Sequence, residues 1–366
     1  MVKRFINISS VIWIHWQLMR RLISRRLTAE IKAAIERDMM AFSNDVGIEG
    51  VRIGQVTDTQ HLTGCTVVVV ENGAVAGVDV RGGAPGTHGT DALRPENLVE
   101  KVHAVVLTGG SAFGLASVQG VMQYLRQRDC GFQTEHGVVP IVSGAVVYDL
   151  GLNKSGTLPD ANMGYQACEN SSTEGAEQGC VGAGTGATVG KLFGLGRAMK
   201  GGQGFASLTS TGGLRVWALA VVNAYGDVRN HENGELLAGV RTEDGRHLAN
   251  AAASLSDLEV LTGFTGTNTV LGVVATNAKF SKTELTRVAQ MAQAGVARAV
   301  VPAHSLYDGD TIYALSTGSH TGVEVTVLGT LAAQLMSQAI VNGILHADGV
   351  DGLPSHRDFF GKSAER

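Results

Sequence analysis

The sequence around residue 269 places a hydroxyl side chain where a hidden nucleophile would stand. Thr269 follows Asn268 in a glycine-flanked turn and opens an apolar run that ends near Asn277. If the bond between Asn268 and Thr269 broke, Thr269 would become an amino terminus whose own amine can take the proton of its hydroxyl. The same residues also fit an ordinary turn before a buried strand, and the Asn-Thr step alone favours that plainer interpretation.

Further candidates for chemistry are polar residues at the ends of other apolar runs. Each has a structural alternative: an aromatic ring with a hydrated hydroxyl, a solvated lysine, a turn amide or a surface turn. Taken one at a time, the structural alternative is the more frequent outcome. These candidates are Tyr148, Lys191, Asn223, Asp308 and Asp310.

Familiar cofactor motifs are incomplete in this chain. Residues 182–187 match a dinucleotide fingerprint in letters, but no clear strand precedes them and no suitably spaced acidic residue follows. Lys191 lacks the remaining residues of a phosphate loop, and the glycines around Ser111 have the wrong spacing for a nucleophile elbow. No histidine pair has zincin spacing, and residues 308–310 lack the other ligands of a calcium loop. We therefore expect no cofactor and no metal.

Composition bounds the class of protein. The 366 residues are enough to form a large hydrophobic core without disulfides or structural metals. Glycine, with 49 residues, is about twice its average usage of roughly 7%, and only 17% of residues are charged, which predicts tight turns between well-buried elements. A net charge of -4 argues against nucleic acid as a partner. The four cysteines have neither zinc-knuckle spacing nor the density of a disulfide framework, so we expect them to be reduced: Cys65, Cys130, Cys168 and Cys180.

The first 40 residues differ from the rest in carrying an apolar run flanked by basic residues. Polar residues interrupt the run, which is shorter than the roughly 20 residues of a membrane helix and has no small-residue cleavage site. We interpret residues 1–40 as a dispensable helical extension of a cytoplasmic protein, with no membrane as partner. Residues 41–366 are expected to form one domain.

The elements that must position the candidate residues follow from the hydrophobic patterns. Apolar runs predict strands at 66–70, 75–81, 103–107, 214–222, 269–276, 311–316 and 323–328. Ser281 and Glu284 form a capping box before a helix, and residues 111–125 and 329–345 predict two more. Strands that alternate with a few helices indicate an α+β or layered α/β fold.

Eight ordered motifs between residues 50 and 346 give the chain a family resemblance. It resembles peptidase family S58, also known as P1, which comprises self-processing peptidases such as L-aminopeptidase/D-Ala-esterases, β-peptidyl aminopeptidases and nylon-oligomer (6-aminohexanoate-oligomer) endohydrolases. The motifs are GVRIG at 50–54, GCTV at 64–67, DVRGGAPGT at 79–87, LTGGSAFGL at 107–115, GATVGK at 186–191, VVNAYGD at 221–227, ATNAK at 275–279 and DGDT at 308–311.

The resemblance implies an αββα sandwich of the type seen in N-terminal-nucleophile hydrolases. It also implies one chain that splits itself between Asn268 and Thr269 into an α chain, residues 1–268, and a β chain, residues 269–366. Members of the family assemble as homo-oligomers, often tetramers, so a tetramer of α/β heterodimers is expected.

The implied mechanism is hydrolysis of a small peptide or amide through an acyl-enzyme. Thr269 Oγ attacks the carbonyl, and its α-amine, with an unperturbed pKa of about 7.7 to 8.0, serves as base without a histidine. Asn223 matches the oxyanion donor, a role that contributes around 3 kcal/mol. Asp308 and Asp310 match the pair that orients the nucleophile. Lys191 and Tyr148 are implied to line the pocket and to position the scissile group.

One departure from the aminopeptidase pattern concerns the substrate. The glutamate that clamps the substrate ammonium in aminopeptidases is replaced here by Val146, two residues before Tyr148. The nylon-oligomer branch also has an apolar residue there, and it also uses threonine with two aspartates. An amidase acting on internal amides is therefore an alternative to an aminopeptidase.

Two hypotheses from other classes remain open. Ornithine acetyltransferases also mature before a threonine, so an acyltransferase would differ only in the acceptor that outcompetes water. An unprocessed binding module on the same sandwich would keep Thr269 internal, without an amine base.

Overall fold

A ten-stranded sheet carries the fold in the computed structural model, which describes residues 42–43, 45–153, 156–256, 268–350 and 352–361. In spatial order the strands are β1 (Phe42–Ser43), β11 (Gly202–Thr209), β12 (Arg215–Asn223), β15 (Thr269–Ala278), β17 (Thr311–His320), β3 (Thr63–Val80), β5 (Lys101–Thr108), β8 (Val142–Val146) and β4 (Thr87–His88), while β2 (Val51–Asp58) pairs with β3. Neighbouring strands are antiparallel except β15 with β17 and β5 with β8, which are parallel.

Strand β3 joins the two halves of this sheet. Its first half pairs with β2 and β5, Ala74 and Val75 still pair with β5, and residues 75–80 pair with β17. The halves face each other across a shared core that contains Val105 and Leu107 from one side and Leu219 and Leu271 from the other. The hydroxyl of Tyr313 in β17 crosses this layer and donates to the carbonyl of Gly144 in β8 at 2.8 Å.

Helices cover the outer face of each half. The described helices are α1 (Ser117–Arg126), α2 (Ala161–Glu169), α3 (Ala251–Leu255), α4 (Lys282–Ala299), α5 (Val325–Leu345) and α6 (His356–Gly361), with 3-10 turns at Thr90–Leu93, Ser111–Ala116, Gly182–Gly184 and Leu195–Arg197. Helices α1 and α2 pack on β3 and β5, and α4 and α5 pack on β12, β15 and β17. The result is the αββα sandwich that the sequence motifs implied.

Burial on both faces explains the continuous apolar runs of the central strands. In β12, Val216, Ala218 and Ala220 pack under the helices, whereas Trp217 and Leu219 enter the core between the sheet halves. Such strands need apolar residues at every position rather than at alternate ones. Short strands outside the main sheet complete the fold: β6 (Phe132–Thr134) with β7 (Gly137–Val139), β9 (Thr188–Val189) with β10 (Met199–Lys200), and β13 (Asp227–Arg229) between β14 (Leu236–Ala238) and β16 (Val300–Val301).

The predicted elements agree with the structure at most places. The capping box of Ser281 and Glu284 is present, and the apolar face of helix α4, which follows it, is buried. The strand predicted at 323–328 is wrong, because helix α5 begins at Val325 and its buried Leu328 packs with α4 and the sheet. A short run rich in valine favours a strand locally, and tertiary packing overrides that preference here.

Helix α5 is a core helix despite its composition. Within the residues that the structure describes, it alone is long and apolar enough to cross a membrane, but 72% of its most apolar window is buried inside the protein. The extension predicted at residues 1–40 lies outside the described residues.

Candidate active site

Strand pairing brings Asn223 and Thr269 together. Asn223 is the last residue of β12, Thr269 is the first residue of β15, and the antiparallel register places them opposite each other. Residues directly opposite in such a pair have Cβ atoms about 5 Å apart. The sheet therefore places these two predicted site residues at one edge.

A second pairing brings Asp308 and Asp310 to the same edge. The parallel strands β15 and β17 both begin there, so the residues that precede them meet. Asn268 forms a parallel bridge with Asp308, and its carbonyl accepts a hydrogen bond from Gly309 N at 2.9 Å. The loop before β17 thus lies against the predicted splitting point.

The hydroxyl of Thr269 is directed at that same point. Thr269 Oγ1 donates to the carbonyl oxygen of Asn268, and the residue is 5% exposed. A Cβ atom added to Gly309 would lie 2.7 Å from Thr269 Oγ1 and 2.8 Å from the carbonyl oxygen of Ala84. Only glycine lets the chain pass this close to the hydroxyl.

Asn223 is oriented by what we call the amide cluster, consisting of Asn223, Lys191 and Thr188. Asn223 Oδ1 accepts from Lys191 Nζ at 2.8 Å and from Thr188 N at 3.0 Å. Since these donors occupy the oxygen, the Nδ2 group is turned the other way, where it donates to the carbonyl of Tyr148 at 3.3 Å. Lys191 Nζ also donates to the carbonyl of Asn223 at 3.0 Å.

Lys191 is a buried cation whose pKa is strongly changed. Burial, together with the charge of buried Lys200, lowers the pKa of Lys191 to about 7, and the charge of Asp308 opposes this only in part. Lys191 therefore titrates closer to neutral pH than an ordinary lysine, and its hydrogen bonds to Asn223 place it behind that residue, where it orients the amide.

The two aspartates belong to what we call the carboxylate cluster, which consists of His304, Ser305, Asp308 and Asp310. Asp310 Oδ1 accepts from Val270 N at 2.7 Å, while its Oδ2 accepts from His304 N at 3.1 Å and lies 2.8 Å from His304 Nδ1. One carboxylate thus connects the residue after Thr269 to the loop before β17.

Asp308 is held in a similar way. Its Oδ1 accepts from Tyr225 N at 3.2 Å, and its Oδ2 accepts from the main-chain N–H and the hydroxyl of Ser305. Burial, together with the neighbouring charge of Asp310, raises the pKa of Asp308 to about 6, against the hydrogen bonds from Ser305 and Tyr225, which lower it. Asp308 therefore titrates closer to neutral pH than an ordinary aspartate.

Tyr148 and Val146 reach the site from β8 and the loop that follows it. The carbonyl of Tyr148 meets the Asn223 amide, as described above. Val146 is 5% exposed, and its amide donates to the carbonyl of Gly86 at 3.0 Å. The segment before Gly86 runs over Gly309, whose added Cβ would lie 3.3 Å from Pro85 Cα. Val146 thus lies behind the strip of chain that packs beside Thr269.

Two residues of the carboxylate cluster were missed by the sequence analysis, which treated histidine as unnecessary. His304 and Ser305 lie four and three residues before Asp308, so proximity to the DGDT motif was the available signal. Neither residue stands at the end of an apolar strand, and their role becomes visible only through the hydrogen bonds. In the part of the chain that the structure describes, no group of three potential metal ligands is close enough to hold an ion.

The amino-acid sequence matches a known protein family over most of the chain. The sequence profile of peptidase family S58 matches residues 45–357. An uncharacterized aminopeptidase of Mycobacterium tuberculosis is 40% identical over 318 residues, covering 81% of this chain and 90% of that protein. The chain belongs to peptidase family S58.

Other relatives of this S58 peptidase carry more specific names. A 6-aminohexanoate-oligomer endohydrolase of Paenarthrobacter ureafaciens is 30% identical over 323 residues, covering 83% of this chain and 86% of that protein. Among solved structures, the L-aminopeptidase D-Ala-esterase/amidase of Ochrobactrum anthropi, described as a variant of the Ntn-hydrolase fold, aligns with a TM-score of 0.67 and 19% identity over 89% of this chain and 94% of that chain.

A β-aminopeptidase of Burkholderia sp. aligns with a TM-score of 0.62 and 22% identity over 89% of this chain and 96% of that chain. These structures share the fold of the S58 peptidase described here. Family membership and the names of its relatives make this protein a hydrolase of peptide or amide bonds. The fold class, the family and the enzyme class predicted from the motifs are confirmed.

Proposed function

We propose that this S58 peptidase is an N-terminal-threonine hydrolase that first splits its own chain between Asn268 and Thr269. One observation carries the proposal: the carbonyl oxygen of Asn268 receives both the Thr269 hydroxyl and the Gly309 N–H at 2.9 Å. A carbonyl polarised by a main-chain donor, with a hydroxyl beside it, is prepared for addition.

The splitting reaction needs only the Thr269 hydroxyl, the Asn268 peptide bond and one water molecule. Thr269 Oγ bonds to the Asn268 carbonyl carbon, the carbon-nitrogen bond breaks, and the hydroxyl proton passes to the departing nitrogen. The resulting ester is hydrolysed, which leaves a carboxyl group on Asn268 and restores the Thr269 hydroxyl. The new α-amine then stands on the same residue as the nucleophile.

Turnover of a small peptide or amide follows on the same atoms. The Thr269 amine takes the hydroxyl proton, Oγ attacks the substrate carbonyl, and the amine returns the proton to the leaving group. Asn223, held by Lys191, supplies its Nδ2 group to the oxyanion, while Asp308 and Asp310 hold the loop and the main chain beside Thr269. Tyr148 lines the pocket, and water releases the acyl group from Thr269.

Intact mass of the purified protein tests the splitting. We expect two fragments that meet between Asn268 and Thr269 in place of the 38.1 kDa chain. A chain that stays whole after long incubation contradicts the proposal, and it would favour an unprocessed binding module instead.

A second candidate, an endo-type 6-aminohexanoate-oligomer hydrolase, is favoured by the surroundings of Val146. The position where aminopeptidases of the family carry a glutamate holds a buried valine here, packed so that a Cβ on Gly86 would lie 2.5 Å from Val146 Cγ2. A valine at this position offers no ion pair to a substrate ammonium. Relatives that are 30% identical are named as such endohydrolases.

Substrate ends separate these candidates. Linear 6-aminohexanoate oligomers with free and with acetylated amino termini should be hydrolysed at similar rates by an endo-type enzyme. Amino-acid p-nitroanilides with a free amine should be preferred by an aminopeptidase. An acyltransferase would instead transfer the acyl group to ornithine in preference to water.

The remaining expectations concern the whole protein. We propose a cytoplasmic homo-oligomer, a tetramer of α/β heterodimers, in which residues 1–40 are dispensable. Light scattering after size exclusion tests the assembly, and the activity of a protein that starts at Met40 tests the extension.

A further inference from the structure

His304 holds one of the two site carboxylates through two of its own atoms. Its main-chain N–H donates to Asp310 Oδ2 at 3.1 Å, and its ring Nδ1 lies 2.8 Å from the same oxygen. To present both atoms, His304 adopts φ 56°, a left-handed conformation that is uncommon for residues other than glycine. Such a conformation persists only where surrounding contacts maintain it.

Both ring nitrogens of His304 face acceptors. Nδ1 meets the Asp310 carboxylate, and Nε2 lies 3.3 Å from the carbonyl oxygen of Gln293 in α4. A neutral imidazole has one N–H donor, whereas an imidazolium has two. Only the charged ring satisfies both contacts at once.

Asp310 connects His304 to the main chain beside the nucleophile Thr269. The other carboxylate oxygen, Oδ1, accepts from Val270 N at 2.7 Å, and Val270 is bonded directly to Thr269. His304, Asp310 and Val270 therefore form a chain of contacts from helix α4 to the start of strand β15. A carboxylate fixed at one oxygen is also fixed at the other.

We infer that His304 is a positioning residue of the threonine site, held as an imidazolium between the Gln293 carbonyl and Asp310 so that the carboxylate fixes the main chain beside Thr269. The inference rests on the proposed function. His304 itself contacts no reacting atom, so its effect is expected in kcat rather than in substrate affinity.

The electrostatic surroundings of His304 agree with this arrangement. Burial lowers the pKa of His304, but the hydrogen bond and the charge of Asp310 raise it by more, so the net pKa lies above its ordinary value. Arg81 opposes the charge, and its Nε lies 3.0 Å from Asp79 Oδ2. Because the folded pKa is raised, the contact is complete below about pH 6.5 and is lost as the pH rises through the folded pKa.

Two variants separate the side chain from the backbone conformation. His304→Gly removes the ring and tolerates the positive φ, whereas His304→Asn tolerates the same φ and keeps an N–H donor near the position of Nδ1. His61→Asn is the matched control, since His61 Nδ1 lies 2.7 Å from Asp58 Oδ2 in a similar pair outside the carboxylate cluster.

Amide hydrolysis by the split enzymes gives the first readout. We expect His304→Gly to lower kcat about 10- to 100-fold, the range of one charge-assisted hydrogen bond, with KM unchanged. His304→Asn should recover most of that loss, and His61→Asn should match the wild type. Wild-type kcat in His304→Gly, or equal losses in the glycine and asparagine variants, would overturn the inference.

The titration of the ring gives a second readout that needs no substrate. In NMR spectra, the Cε1–H signal absent from His304→Asn identifies His304, and we expect its midpoint above about 6.5. The kcat of the wild type should fall as the pH rises through that midpoint. The pH profile of His304→Asn should lack this decrease. A midpoint at or below 6.5, or identical pH profiles, would overturn the inference even if His304→Gly failed to fold.

Thr269→Ala and the His304 variants test the threonine mechanism and the positioning role separately. If Thr269→Ala remained active, the threonine mechanism itself would fall. If activity depended on Thr269 but not on His304, only the positioning role would be lost.

Discussion

The amide cluster and the carboxylate cluster flank Thr269 from the two strands that neighbour β15, and they are held in different ways. In the amide cluster, a lysine side chain and one main-chain N–H fix the oxygen of Asn223. In the carboxylate cluster, each aspartate accepts several hydrogen bonds, most of them from main-chain N–H groups. The amide cluster therefore depends on individual side chains, and the carboxylate cluster depends mainly on the path of the backbone.

The largest expected effect removes the residue that both clusters serve. Thr269→Ala should abolish splitting and amide hydrolysis, because neither reaction has a nucleophile without the hydroxyl. Intact mass and hydrolysis assays measure the two losses. Thr276→Ala serves as the control and should split normally, because Thr276 lies on the same strand but its hydroxyl donates a hydrogen bond to the carbonyl of Arg215. Full activity of Thr269→Ala would sink the mechanism.

The next effect tests the amide cluster. Asn223→Ala should lower kcat about 10²- to 10³-fold, the usual loss for one oxyanion donor, while some splitting continues. Splitting is expected to persist because the Asn268 carbonyl has its own donor, Gly309 N. Mass spectrometry and steady-state kinetics on the same preparation separate the two reactions. Complete loss of splitting, or wild-type turnover in the split protein, would contradict this division of roles.

The buried lysine of the amide cluster should appear in stability against pH. Since burial lowers the pKa of Lys191 to about 7 in the folded protein, the unfolded chain binds more protons between about pH 7 and 10.4. The free energy of unfolding should then rise with pH across that window.

Urea denaturation of the wild type and of Lys191→Met, from pH 7.5 to 9.5, measures this contribution by difference. Lys200, whose pKa burial also lowers, is present in both proteins and cancels. We expect the difference between the two stabilities to change with pH, and parallel curves would show that Lys191 keeps an ordinary pKa.

The smallest expected effect tests redundancy in the carboxylate cluster. Ser305→Ala removes one donor to Asp308 but leaves the main-chain donors of Ser305 and Tyr225. We expect a loss of about 1 kcal/mol in unfolding free energy and a change in kcat of only a few fold. Thermal unfolding and kinetics check both. A loss of kcat as large as that expected for Asn223→Ala would remove the contrast between the two clusters.

The sequence predicted the parts of this site that are strand ends. Thr269, Asn223 and Asp310 stand where apolar runs begin or end, and such positions can be found from hydrophobic patterns alone. The strand predicted at 323–328 failed because a short valine-rich run has no length to distinguish strand from helix. The helix there is decided by packing on α4.

By itself, the sequence determined several of the long central strands and helices, the family motifs and the candidate nucleophile at Thr269. Only the tertiary structure decided that Lys191 orients Asn223, that Ser305 holds Asp308 and that His304 holds Asp310. The physical reason is that hydrophobic periodicity is local, whereas these bonds need strand register and loop path to be set first. Register places Asn223 opposite Thr269, 46 residues apart by number, and no local pattern records that pairing.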